Sequence, residues 1–208
     1  MKRLVFVCHG NICRSPMAEF VMKDLVEKAN LSDEFFITSM ATSTEEIGNG
    51  VHYGTINELK KHGIKIYPHT ATQIKKDDYP NFDFLICMDK NNIRNLSRIM
   101  GTDVDNKIFL LLEFSNLENN ENVTQFLKTQ QKTNKNKCSF NENLRQILTK
   151  NNSNLNLEID DPWYSGNFAK TYIDIEKGCK SLLKILRMIW KIYILLDFTH
   201  TFFLQNLV

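Results

Sequence analysis

Cys8 and Arg14 stand with the five residues His9-Gly10-Asn11-Ile12-Cys13 between them, and Ser15-Pro16 follows directly. The skeleton of a cysteine, five residues and an arginine is a weak signal alone. Its setting strengthens it: the cysteine ends the apolar run Leu4 to Val7, and the arginine precedes a helix start. Gly10 and Asn11 supply backbone freedom between them. Such a loop can wrap backbone N–H groups around an anion at a helix N-terminus. The same N–H groups, the helix dipole and the Ser15 hydroxyl favour a thiolate at Cys8, a nucleophile that needs no histidine base. Arg14 offers a planar fork to two phosphoryl oxygens, which lysine cannot do. Phosphoryl transfer depends on positioning and charge stabilisation, and this loop offers both.

A leaving oxygen also needs a proton. Asp160-Asp161-Pro162-Trp163-Tyr164 is the best source in the chain. Pro162 holds Asp161 extended, and the two aromatics can wall a slot for a flat ring. The competing reading is an ordinary Asp-Pro turn whose aromatics cap the last helix, and spacing alone does not separate the two.

These residues need a scaffold. Leu4–Val7 reads as a central strand buried on both faces, and Ser15 before Pro16 fits a helix N-cap and first residue. Phe35–Thr42, Phe84–Met88 and Ile108–Leu112 read as further strands. Helices are expected at Asn57–His62, stopped by Gly63, and through Ile93, Leu96 and Ile99 to Gly101. A long one begins near Tyr172, with apolar Ile175, Cys179, Leu182, Leu183 and Leu186. Strands alternating with helices indicate parallel βαβ units and an open wound sheet. Ligands then bind beyond the carboxyl ends of the strands, where Cys8, the Ser39–Glu46 stretch and Asp89 gather.

From about 116 to 156 the chain turns rich in Asn, Lys, Gln and Thr, with apolar patches at Phe126-Leu127 and Leu144–Leu148. It reads as a loop-like or disordered insertion with one weak helix at Glu142–Leu148. The expected organisation is one domain over 1–190 interrupted by that insertion, then an apolar extension over 191–208. Lys180, Lys184, Arg187 and Lys191 fall on one face of the last helix. The expectation there is a weak membrane-surface or oligomer contact through 187–208. Lys191 and Asp197 interrupt its apolar residues, so no clean spanning segment is read.

With 208 residues, 24% charged and a net charge of +2, the chain has no large basic field, and nucleic acid is not an expected partner. The short apolar N-terminal run does not read as a signal peptide, so a cytoplasmic protein is expected. Five scattered cysteines without a CxxC pair argue against a disulfide framework or a structural zinc site.

Cys8 to Pro16, together with Asp161-Pro162-Trp163-Tyr164, strongly resembles the low-molecular-weight protein tyrosine phosphatases. The resemblance extends through Thr42 to Gly48, His62-Gly63-Ile64, and Phe82-Asp83 through Asp89 with Asn92-Ile93-Arg94. It implies a three-layer α/β/α fold with a four-stranded parallel sheet and the phosphate loop between the first strand and first helix. It implies hydrolysis of phosphotyrosine in proteins, with no metal or organic cofactor. By this resemblance Cys8 is the nucleophile, Arg14 the phosphate clamp and Asp161 the general acid and base. His9, Gly10, Asn11, Ile12, Cys13 and Ser15 form the phosphate loop, supported by Ser39 and His69. Glu45, Trp163 and Tyr164 edge the substrate slot. Cys13 matches a loop cysteine that can pair with the nucleophile under oxidation.

Met40, Thr72, the insertion and the acidic Glu45-Glu46 pair depart from the family pattern. Three other readings stand beside this one. An arsenate reductase of the same fold needs two further cysteines close together, and Cys87 has no near partner in sequence. A protein-arginine phosphatase commonly carries threonine where Ile12 stands. A non-catalytic phosphate-binding scaffold would use the insertion and tail as contact surfaces.

Overall fold

The computed structural model describes residues 1–116, 140–152 and 155–205, with side chains described to residue 188 in the last helix. Strand β1 spans Lys2–Cys8, and its residues Leu4 to Val7 are wholly buried, as an inner strand requires. It pairs in parallel with β2 (Phe35–Ala41) on one side and β3 (Phe84–Cys87) on the other. β4 (Ile108–Leu110) adds to β3, giving four parallel strands in the order β2-β1-β3-β4.

Side chains alternate across the sheet, so each face has its own core. Leu4, Phe6 and Cys8 point to the face covered by α1 (Arg14–Lys28) and the last helix. Met17, Phe20, Ile175, Cys179 and Leu182 complete that core. Val5 and Val7 point to the opposite face, with Leu85, Cys87 and the Leu96 and Met100 side chains of α3 (Lys90–Met100). Helices on both faces of a parallel sheet give the expected three layers. A shorter helix, α2 (Tyr53–Lys61), packs beside α1 and the last helix.

Two expectations need correction. Ser15 is not the N-cap of α1: the helix already includes Arg14, and Cys13 stands at the cap without a side-chain bond. Pro16 still falls in the first turn, where a missing N–H costs nothing. α2 begins at Tyr53, before Asn57, because the imidazole Nδ1 of His52 accepts from the Gly54 N–H at 3.1 Å and caps it. The weak helix expected in the polar insertion at Glu142–Leu148 is present and longer, as α4 over Phe140–Asn151. Its Leu144 and Leu148 are buried in the larger core, and burial of each stabilises by about 1.5–3 kcal/mol. Arg145 of α4 donates to the Ile108 carbonyl and lies over the Phe109 ring at 4.1 Å. An edge strand with free carbonyls is thereby covered. Residues 117–139, with Phe126-Leu127 and Cys138, lie outside the described residues.

The short helix α5 spans Pro162–Ser165. The long helix α6 spans Phe168–Gln205 and starts four residues before Tyr172. Asn167 accounts for the earlier start, its Oδ1 accepting from the Lys170 N–H at 3.0 Å. The helix backbone continues across the boundary expected at 190. Side chains of the expected contact surface beyond Met188 lie outside the described residues. Among the described residues no helix is long and apolar enough to cross a membrane.

Candidate active site

Cys8 closes β1 at the carboxyl edge of the sheet, and the chain from His9 to Cys13 arcs over the start of α1. The Cys8 and His9 carbonyls accept from the Thr42 and Ser43 N–H groups at 2.9 and 3.0 Å, tying the loop to the end of β2. Asn11 adopts φ +57°, a conformation asparagine tolerates better than most residues. That turn aims the Asn11 N–H at the Cys8 sulfur, 3.3 Å away. The Ser15 hydroxyl lies 3.0 Å from the same sulfur.

The Asn11 side chain holds the loop from beneath. Its Nδ2 donates to the Ser15 and Ser39 hydroxyls, each at 2.9 Å, and its Oδ1 accepts from the Thr72 N–H at 3.2 Å. The Asn11 carbonyl accepts from His69 Nε2 at 2.8 Å, so the proton of that imidazole sits on Nε2. A backbone N–H serves at Thr72, which makes the side chain at that departure from the family pattern unimportant to this bond.

Arg14 is buried beneath the slot. Its Nη1 donates to Asp89 Oδ2 at 2.5 Å and to the Ile159 carbonyl at 3.0 Å, and its Nη2 donates to Asp161 Oδ2 at 2.5 Å. Burial works against its charge, but Cys8, Asp161 and Asp89 outweigh that and hold the guanidinium above its ordinary value. Asp89 is itself fixed as the N-cap of α3, its Oδ1 accepting from the Asn92 N–H at 2.6 Å. The sequence reading brought Asp89 to this edge without seeing it as the partner of Arg14. A strand ending in Met88-Asp89 just before a helix was the available signal.

Asp161 is extended, as Pro162 dictates, and caps α5 through the Trp163 N–H at 3.1 Å. Cys8, His9, Gly10, Ile12, Cys13, Arg14, Glu45, Glu46, Asp161, Trp163 and Tyr164 line one slot. Asn11, Ser15, Ser39 and His69 lie behind the loop in the bonds just described, so every expected site residue falls in or behind one pocket. Glu45 is not a bare acidic rim: its Oε2 meets His9 Nε2 at 3.1 Å, with both side chains well exposed. Trp163 and Tyr164 also line the slot, 55% and 84% exposed, and the Trp163 ring meets the His52 ring edge-on at 5.7 Å. The two loop thiols differ. Burial first, then the Cys8 sulfur and Asp161, push Cys13 up to about 12, which keeps it a neutral thiol.

The family model described as low molecular weight phosphotyrosine protein phosphatase matches residues 3–149. The chain belongs to that family. A rat low molecular weight phosphotyrosine protein phosphatase is 50% identical over 97 residues, which are 47% of this chain and 61% of the relative. The chain thus spans 61% of the length of such relatives. Solved structures extend the likeness over more of the chain. YfkJ from Bacillus subtilis is 29% identical, with a TM-score of 0.69 over 90% of this chain and 95% of its own. The low molecular weight protein tyrosine phosphatase SP-PTP from Streptococcus pyogenes is 34% identical, with a TM-score of 0.63 over 88% and 92%.

Proposed function

We propose that this chain is a protein tyrosine phosphatase that works through a phosphocysteine on Cys8. The observation that carries the reading is the Cys8 sulfur, met by the Asn11 N–H and the Ser15 hydroxyl, with the Arg14 fork and the Asp161 carboxyl on the same slot. The names of the family and of its relatives support the reaction class.

Phosphotyrosine enters with its phosphoryl group on the loop and its ring between the walls. Arg14 must turn from Asp161 to two phosphoryl oxygens, while Asp89 keeps the guanidinium aligned. The Cys8 thiolate attacks phosphorus in line; the S–P bond forms as the bond to the tyrosyl oxygen breaks. Asp161 gives that oxygen its proton. Water then attacks phosphorus, passes a proton to the Asp161 carboxylate, and breaks the S–P bond to leave phosphate and the thiolate. The slot chemistry calls for no metal or organic cofactor, and the substrates are phosphotyrosine-containing proteins.

Leaving-group dependence tests this. The wild type should hydrolyse both phosphotyrosine peptide and para-nitrophenyl phosphate. Asp161→Ala should slow the peptide by about 10²–10⁴-fold and the nitrophenyl ester far less, because its leaving group is already acidic. Equal losses on the two substrates would remove Asp161 from the acid role. A wild type without turnover would leave only phosphate binding.

A further inference from the structure

His52 does not line the slot, yet it touches parts of the chain that shape it. Its backbone N–H donates to the Ile12 carbonyl of the phosphate loop at 2.8 Å. Its Nδ1 accepts from the Gly54 N–H at 3.1 Å, so the neutral ring carries its hydrogen on Nε2. Backbone and ring are thus both pinned, and the start of α2 sets the plane of the imidazole.

Two aromatic side chains use that plane. Phe168, the first residue of α6, lies parallel to it, with 5.2 Å between ring centroids and 5° between planes. Phe168 also packs against Ile12, Cys13 and Ala71. Gly54 leaves room for it, since a Cβ at that position would collide with the Phe168 ring. Trp163 meets the imidazole edge-on, at 5.7 Å and 72°. Among the described residues this is the one ring–ring contact of an indole that is otherwise more than half exposed at the slot. An indole without that contact would have to be ordered by the substrate, at a cost to binding.

We infer that His52 is a positioning residue, whose ring holds the Trp163 indole in place as a wall for the tyrosyl ring of the substrate. Because His52 is tied to Ile12, the wall keeps a fixed relation to the loop that takes the phosphoryl group. A substrate that presents an aromatic ring gains from the prepared wall. Inorganic phosphate, which needs the loop alone, gains nothing. The inference rests on the proposed phosphatase role of the slot.

The test compares steady-state kinetics on a phosphotyrosine peptide with inhibition by inorganic phosphate, on the full chain. His52→Ser keeps a capping oxygen for the Gly54 N–H and removes the ring. It should raise KM for the peptide by about three- to tenfold, the scale of one aromatic pair, with kcat and phosphate inhibition unchanged. His52→Phe restores a ring but offers the Gly54 N–H no acceptor. It should keep KM near the wild-type value and melt at a lower temperature. Trp163→Ala should raise KM by itself, and adding His52→Ser to it should change KM no further. In a Trp190→Phe background, acrylamide quenching of Trp163 should rise in His52→Ser. Unchanged KM or quenching in His52→Ser, phosphate inhibition weakened as much as KM rises, or full additivity with Trp163→Ala overturns the inference. A wild type that turns over no peptide defeats the proposed function instead, and the placing of the indole by His52 is then decided by the quenching, which needs no turnover.

Discussion

The phosphate loop and the acid segment meet over one slot but are held differently. Around Asn11 the bonds are internal, joining it to Ser15, Ser39, Thr72 and His69. Between Asp160 and Tyr164 several restraints lie at the surface, with Lys170 on Asp160 at 2.9 Å and the Trp163 N–H on Asp161 at 3.1 Å, while the Arg14 guanidinium holds Asp161 from inside. The half that binds charge is built before substrate arrives, which is where fixed dipoles help most. On the proposed mechanism the Arg14–Asp161 pair must part before the guanidinium can take the phosphoryl group.

That contrast can be broken by substitution. Cys8→Ser should abolish turnover, by on the order of 10⁴-fold or more in kcat, with phosphate binding retained. Asp161→Asn should lower phosphotyrosine turnover by about 10²-fold or more while leaving the loop and its alkylation profile intact. Asn11→Ala should cost about 10–100-fold in kcat, since it removes several bonds of the rigid half at once. Trp163→Ala, in the acid segment, should act mainly on KM. Reversal of those last two effects would mean the rigid half had been misplaced.

Leu144→Ala marks off a third region. It should destabilise the fold by about 2–5 kcal/mol in a denaturant titration, yet leave kcat nearly unchanged at temperatures where the protein is folded. A matching loss of kcat would tie the insertion helix to the acid segment.

A separate effect is on stability at alkaline pH. Burial, chiefly, raises the Cys13, Cys87 and Cys179 thiols above the ordinary value of 9.0. The folded chain then keeps protons that the unfolded chain has lost. That stabilisation is complete below pH 9 and fades as pH rises toward about 12, the value to which Cys13 is pushed. The slope is at most about 1.4 kcal/mol per pH unit for each thiol. Melting temperature should fall across that range, and more slowly in Cys179→Ala.

The sequence made the loop legible because its chemistry is local: a strand, a turn and a helix start within a few residues of Cys8. Strands β1, β3 and β4 were equally plain as short buried apolar runs, and β2 alternates instead. What escaped was non-local or atypical. Glu19 looks like any glutamate followed four residues later by lysine, and nothing in the sequence points to its bond with Ser39, on another element. His52 caps α2 with a ring nitrogen, which residue preferences for caps do not favour. Ser15 was read as the cap of α1, a place that Cys13 takes, while its hydroxyl meets the sulfur as the loop reading expected. The insertion helix was legible in part: the patch Leu144–Leu148 marked a weak helix, and surrounding Asn and Lys hid its extent over Phe140–Asn151.

The most direct measurement is acid quenching of wild type and Asp161→Asn during turnover of phosphotyrosine peptide, followed by mass analysis of the peptide that carries Cys8. The account predicts a phosphoryl group on the Cys8 sulfur while substrate lasts, and none in Cys8→Ser. Turnover with Cys8 unmodified at every quench time, or with the phosphoryl group on another residue, would contradict it.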